Sequence, residues 1–194
     1  MKKHILGIVL VCAVSGSHGA AQSPATRESE IKVEHLPAQT ALIRTVRGGY
    51  DQHPAVIGEL MVYAGQLYSG QFKVGNSVFG VYATDPDAVV SPADLTWEIG
   101  MVLTVAPASA RTPDAPYELN TLPATDAAVL DSDMAHTAID GLSMSRWMLE
   151  NGYVQMAPTR MAYVATDGNP DHMHTRIMIP VRKRPSGLIL PPRR

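Results

Sequence analysis

Leu122-Pro123-Ala124, followed by Ala127-Ala128-Val129, repeats Leu36-Pro37-Ala38, followed by Ala41-Leu42-Ile43. The echo continues downstream. Val164-Ala165-Thr166-Asp167 answers Tyr82-Ala83-Thr84-Asp85, and Thr175-Arg176-Ile177-Met178 answers Trp97-Glu98-Ile99-Gly100. The offset shrinks along the chain, roughly 86, then 82, then 78, as expected of two copies whose loops differ in length. Two copies are too few for a solenoid. They suit a pseudo-two-fold pair packed around one core, with a cleft where the copies meet.

Working outward from that repeat, Ile31, Val33 and residues 41–46 read as strand, broken at Leu36-Pro37 because proline cannot donate to a ladder. Arg47-Gly48-Gly49-Tyr50 is a turn, and a helix starts near Pro54, with Asp51 or His53 placed to cap it. Val56, Ile57, Leu60, Met61 and Ala64 give that helix one apolar face, and residues 65–75 read as loop. Strands follow at 78–83 and 95–105, and the proline-bearing stretch 106–116 links the copies. The second copy runs strand 117–122, a bend at Pro123, strand 127–131, a helix over about 135–151, and strands 162–166 and 175–181. The second helix carries Ile139, Leu142, Trp147 and Leu149 as apolar positions, and Asn151-Gly152 ends it. Each copy is thus β-α-β-β with a split first strand. The expected fold is α+β: one antiparallel sheet with two helices on one face, the other face open, and a concave groove between the halves.

The first residues read as a secretory leader: Lys2, Lys3 and His4, an apolar run of about ten, then small residues at Gly19-Ala20-Ala21. That run is too short to cross a bilayer. Cys12 sits inside it after Val11, which does not fit a lipoprotein site. The expected organisation is a leader over 1–21, a polar linker over 22–30, a ligand-binding domain over 31–183 with halves 31–105 and 116–183, and a tail over 184–194. Export places the mature chain in the periplasm or outside the cell. The leader takes two of the 16 basic residues and none of the 18 acidic ones, so net charge moves from −2 to −4. The only cysteine leaves with it, which excludes disulfides and thiolate chemistry. An acidic chain with no long basic run gives no electrostatic ground for nucleic-acid binding, and no transmembrane segment is expected. Oligomeric state is not set by the sequence.

Several of these pieces carry a family resemblance. Arg47-Gly48-Gly49-Tyr50, Phe79-Gly80-Val81-Tyr82 with Asp85-Pro86, the run from Asp94 through Trp97-Glu98-Ile99-Gly100, and Trp147-Met148-Leu149-Glu150-Asn151-Gly152 stand in the order seen in the gyrase-inhibitor-like (GyrI-like) family. Pro158, Arg160, Tyr163 and Ile177-Met178-Ile179-Pro180-Val181 complete the likeness, which covers roughly residues 31–183. The family also supplies effector-binding domains to AraC-type and MerR-type regulators. The resemblance implies the same duplicated fold and a small-molecule pocket between the halves; some relatives are hydrolases and distant ones bind haem. Two departures stand out. The family often has Glu two residues before the tyrosine; here that position is Met161, which removes the usual partner for cationic ligands and the acid of the hydrolase members. A leader stands where a DNA-binding segment would be, so direct transcriptional control is not expected.

The candidate binding residues are Tyr50, Tyr82, Glu98, Trp147, Met161, Tyr163 and Arg176. Glu98 lies mid-strand, where a carboxylate is costly unless it faces a wet groove or a partner. Alternation puts Glu98, Gly100 and Val102 on one face and Trp97, Ile99 and Met101 on the other, and the glycine leaves room for something to approach. Its symmetry mate is Arg176, which can pair with it across the groove; Arg160 is the other candidate partner. Tyr82 and Tyr163 occupy similar places in the two copies and offer area with one polar tip. Tyr50 is a gate candidate at the groove edge, and Trp147 belongs at the helix–sheet interface. His172 and His174 have the alternate spacing that points two rings to one face, but no third ligand accompanies them, so no metal site is assigned. His35, His53 and His136 read as solvated. No Gly-x-Ser-x-Gly elbow is present, and no cofactor is expected. The resulting reading is a small-molecule-binding protein whose groove, lined by Tyr82, Glu98, Met161 and Tyr163, takes an apolar or amphipathic ligand. The alternative is a hydrolase of small reactive molecules with Glu98 as general base for a water.

Overall fold

The computed structural model describes residues 30–69, 78–83, 91–104, 111–133, 137–165 and 173–185. The expected leader, most of the linker and of the tail, Cys12, His136 and His172 lie outside the described residues.

The first copy supplies β1 (Lys32–Leu36), β2 (Gln39–Arg47), α1 (His53–Leu67), β3 (Val78–Tyr82) and β4 (Thr96–Leu103). The second supplies β5 (Tyr117–Leu122), β6 (Thr125–Asp133), α2 (Thr137–Glu150), the short β7 (Tyr153–Gln155), β8 (Thr159–Ala165) and β9 (Met173–Lys183). Eight strands follow the order β1-β6-β9-β8-β3-β4-β2-β5, with β7 attached to β9 and every pairing antiparallel. Exchanging β1, β2, β3 and β4 with β5, β6, β8 and β9 and reversing that order returns the same order. The internal repeat is therefore a structural two-fold whose axis passes between β3 and β8.

The registers refine the repeat. The pair Leu42–Met101 becomes Ala128–Ile179 in the second copy, by offsets of 86 and 78. The pair Val81–Glu98 becomes Ala162–Arg176, which requires an offset of 81 for β3, one less than the echo at Tyr82-Ala83 implies. With that correction Tyr82 and Tyr163 are true symmetry mates, and Glu98 remains the mate of Arg176.

β1 and β2 are separated only by Pro37 and Ala38, yet they lie towards opposite ends of the strand order. So short a connection spans about 10 Å, so the sheet must curl until its ends meet. It does so because the split first strands swap copies. β1 pairs with β6 and β2 with β5 in one continuous antiparallel register, Leu36 opposite Thr125 and Gln39 opposite Leu122. The prolines break the strands at the place where the curl closes.

Both helices pack on the outside of this curl. Ile99, Gly80, Met161 and Ile177 form one cross-strand row and so share a face. Ile99 packs in the cluster with Val56, Leu60 and Ala64 of α1, and Ile177 in the cluster with Met144 and Met148 of α2. A third apolar cluster, of Ala41, Ile43, Phe79, Ala127, Val129, Ala162 and Met178, lines the inside.

α1 begins at His53 with Pro54 in its first turn, as expected, but neither Asp51 nor His53 caps it by a side-chain bond; a short 3-10 turn over Tyr50–Gln52 leads in instead. It also runs past Gly65 to Leu67, because Ala64 and Tyr68 are fully buried and the Tyr68 amide donates to the Ala64 carbonyl at 2.7 Å. Packing outweighs the roughly 1 kcal/mol penalty of an exposed helical glycine. In α2 the phase differs from expectation. Ile139, Leu142 and Leu149 are exposed, and the buried side is Asp140, Ser143, Met144 and Met148. Asp140 reaches in to accept a hydrogen bond from the Ser132 hydroxyl at 2.5 Å, so the inward face is partly polar and the bulkiest aliphatic residues do not mark it. Gly152, at φ +70°, makes the left-handed turn that ends the helix. No helix among the described residues is long and apolar enough to cross a membrane.

Candidate functional site

The expected groove residues divide between the two faces of the sheet. Tyr82, Met161 and Tyr163 point to the helix side, where Tyr50 joins them, while Glu98 and Arg176 point inward. Trp147 stands apart, stacked on Tyr153 at 5.5 Å and packed against the α2 core. One groove lined by Tyr82, Glu98, Met161 and Tyr163 together is therefore not what forms: strand alternation sends Glu98 the opposite way from the tyrosines.

On the helix side the seam is filled by its own rings. His53 lies 4.5 Å from Trp97, 5.8 Å from Tyr82 and 5.6 Å from Tyr163, ring to ring, and Tyr50 packs edge-on against Tyr82 and Trp97. Tyr82 leans back along its strand over Gly80, whose missing Cβ leaves the space that the phenol occupies. His53 Nε2 is 2.7 Å from the Tyr82 hydroxyl and Nδ1 is 3.3 Å from the Tyr163 hydroxyl, and the two hydroxyls are hydrogen-bonded to each other. This closes a ring of three bonds. Two phenols and one neutral imidazole supply three protons for it; a protonated imidazole would supply one too many. Burial agrees with that count. It pushes the His53 pKa down to about 4, and it pushes Tyr163 up to about 12 and Tyr82 higher still, the neighbouring phenol adding to the rise in Tyr82. All three groups are neutral at physiological pH, so the cluster binds itself rather than presenting a charge. His53, read from sequence as solvated, is its centre; the signal that could have found it is its position one turn before Ile57 on the apolar side of α1.

The inner face holds a hollow of about 570 Å³ lined by both copies. Phe79 and Val102 come from the first copy, Arg160, Ala162, Val164, Arg176 and Met178 from the second, and Leu36, Pro37 and Gln39 from the bend where the curl closes. Ala162 is the small residue of that lining, opposite Phe79 across the seam. The room beside Gly100 is not open to a ligand, as the sequence suggested, because the Phe79 ring occupies it. The Arg160 guanidinium in turn lies 5.7 Å from the Phe79 ring centroid, so glycine, ring and cation are layered.

Arg176 reaches the hollow but does not pair with Glu98. It donates to Glu34 at 2.5 Å and lies 3.6 Å from the Asp131 carboxylate. Burial raises the Glu34 pKa, but the hydrogen bonds and positive charges of Lys32 and Arg176 outweigh it and hold the carboxyl below its ordinary value. Glu98 sits on the inner face opposite Thr45 and Val81, outside the lining of the hollow. His174 is an exposed lining residue at the rim. Sequence reasoning weighed Arg160 only as a partner for Glu98 and passed over Phe79; the pairing of Phe79 with both Gly100 and Ala162 is what brings them to one floor.

No protein-family model and no curated protein matches the chain. Solved structures do match its fold. The EcmrR C-terminal domain aligns with 79% of this chain and 98% of its own at 13% identity, with a TM-score of 0.64. An uncharacterized conserved protein from Listeria innocua aligns over the same share of this chain and 92% of its own at 11% identity, TM-score 0.57. A hydrolase from Listeria innocua does so over 92% of its length at 13% identity, TM-score 0.53. At such identities the likeness is one of fold, and the fold is the GyrI-like one to which the sequence motifs pointed.

Proposed function

We propose that this chain is an exported small-molecule-binding protein whose ligand sits in the hollow of the curled sheet. The observation that carries the reading is the hollow itself: about 570 Å³, within the range of small-molecule pockets, mostly apolar, and walled by side chains from both copies. The leader-like residues 1–21 support export, and the acidic balance supports a small-molecule rather than a nucleic-acid partner. The GyrI-like fold fits this use. The hydrolase alternative has less support, since Glu98 stands outside the hollow and would have to act on a substrate lying beyond it.

Thermal-shift screening of the purified protein against amphipathic small molecules tests the reading, because a ligand that binds only the native state raises the melting temperature. Hits should appear, and Val164→Trp, which fills the hollow from its wall, should abolish them while keeping the fold. A folded Val164→Trp protein that retains the same shifts, or a broad library with no hit, would overturn it.

A further inference from the structure

Among the described residues, the hollow contains a cation that no acid answers. Arg160 is only 9% exposed and lines the hollow. Among the described residues its partner is the Phe79 ring alone. A cation over an aromatic face is favourable, but the ring offers no acceptor in the plane of the guanidinium N–H groups. The other charged side chains among the described lining residues have places of their own. Arg176 is held by Glu34 and Asp131, so Asp131 is already engaged, and His174 stands at the exposed rim. Glu98 shares a cross-strand row with Arg160, but β3 lies between them, Glu98 opposite Val81 and Val81 opposite Arg160. No ion pair or hydrogen bond joins the two side chains across that strand. Burial without a counter-charge pulls the Arg160 pKa below its ordinary value.

We propose that the hollow takes an amphipathic monoanion, a carboxylate on an apolar body, with Arg160 as its counter-ion and Leu36, Val102, Val164 and Met178 around the apolar part. This deepens, and rests on, the proposed use of the hollow for small-molecule binding. The planar guanidinium presents paired N–H donors that match a carboxylate. One unanswered cation calls for one negative charge, and the Asp131 carboxylate on the same wall disfavours a second. The assignment reverses the ligand charge that the family resemblance implies.

Calorimetry with decanoate, decanol and decylammonium on the unaltered protein provides the test, since the three share one chain and differ in head-group charge. Decanoate should bind roughly 10-fold or more tighter than decanol, and decylammonium more weakly than either. Arg160→Met and Arg160→Gln should lower decanoate to the decanol level and leave decanol binding unchanged. Decanol binding as tightly as decanoate, or Arg160→Met retaining decanoate affinity, would overturn the anion assignment while leaving the hollow as a binding site. Absence of binding by all three would overturn both. The decanoate–decanol comparison needs no variant, so it holds even if the substitutions fail to fold.

Discussion

The two faces of β3 and β8 meet the same symmetry axis and do opposite things with it. Outward, Tyr82 and Tyr163 project from the seam, meet His53 from α1, and close a neutral hydrogen-bonded ring beside Trp97. Inward, Phe79 and Ala162 of the same two strands face a hollow. Alternation assigns each residue to a face, and side-chain volume then decides whether that face is filled. Large rings with polar tips plug the outer seam and satisfy one another. On the inner row, Phe79, Val102, Ala162 and Val164 leave a hollow between them. A duplicated fold thus has one seam but two candidate sites, and this chain has filled one of them itself.

That contrast can be broken most forcefully at Trp97, which is 1% exposed and donates its indole N–H to the Gly48 carbonyl at 3.1 Å. Trp97→Ala should cost roughly 3–5 kcal/mol of stability in urea titration, whereas Val102→Ala on the half-buried wall of the hollow should cost about 1 kcal/mol. Similar losses at both positions would mean that the inner face is packed as tightly as the outer.

A smaller effect sharpens the account of the hollow's floor. A Cβ at Gly100 would collide with the Phe79 ring. Gly100→Ala should therefore destabilise by about 1–3 kcal/mol, as overpacking does, and should weaken any ligand bound beside Arg160, since the ring on which that cation rests must move. A neutral Gly100→Ala would show that the ring does not lie against β4.

The outer ring predicts a pH dependence of still smaller size. The His53 pKa is depressed in the folded protein, from 6.5 to about 4, by burial. The unfolded chain then binds the proton more readily than the native one, so stability is full above about 6.5 and falls as pH drops towards 4. In the upper part of that window, above the carboxylate range, urea midpoints should decline with acid, and His53→Gln should flatten the decline. An unchanged slope in His53→Gln would remove His53 from the account. Because Arg160 stays charged throughout, ligand binding in the hollow should not follow the same curve.

Much of the architecture was legible because it rests on local rules. Proline at positions 37 and 123 splits a strand wherever the chain goes next, and apolar spacing marks α1 through Val56, Leu60 and Ala64. The site was less legible. Alternation correctly separated Glu98 from Trp97, but it could not say that the tyrosines would share the tryptophan's side, because that depends on the register of β3 against β4 and β8. The phase of α2 was misjudged for a related reason: Asp140 is buried by a bond to Ser132 of β6, a partner that helical periodicity does not contain.

The sequence by itself determined the duplication, the order of elements and which neighbouring residues share a face, since these follow from backbone geometry and residue type within a few positions. Only the tertiary structure decided that the split strands swap copies, that the sheet curls until its ends meet, and that the inner face holds the hollow with Arg160 at its floor. Those outcomes are set by pairings between residues 73 to 97 positions apart, and no local pattern encodes which distant strand supplies the missing hydrogen bonds.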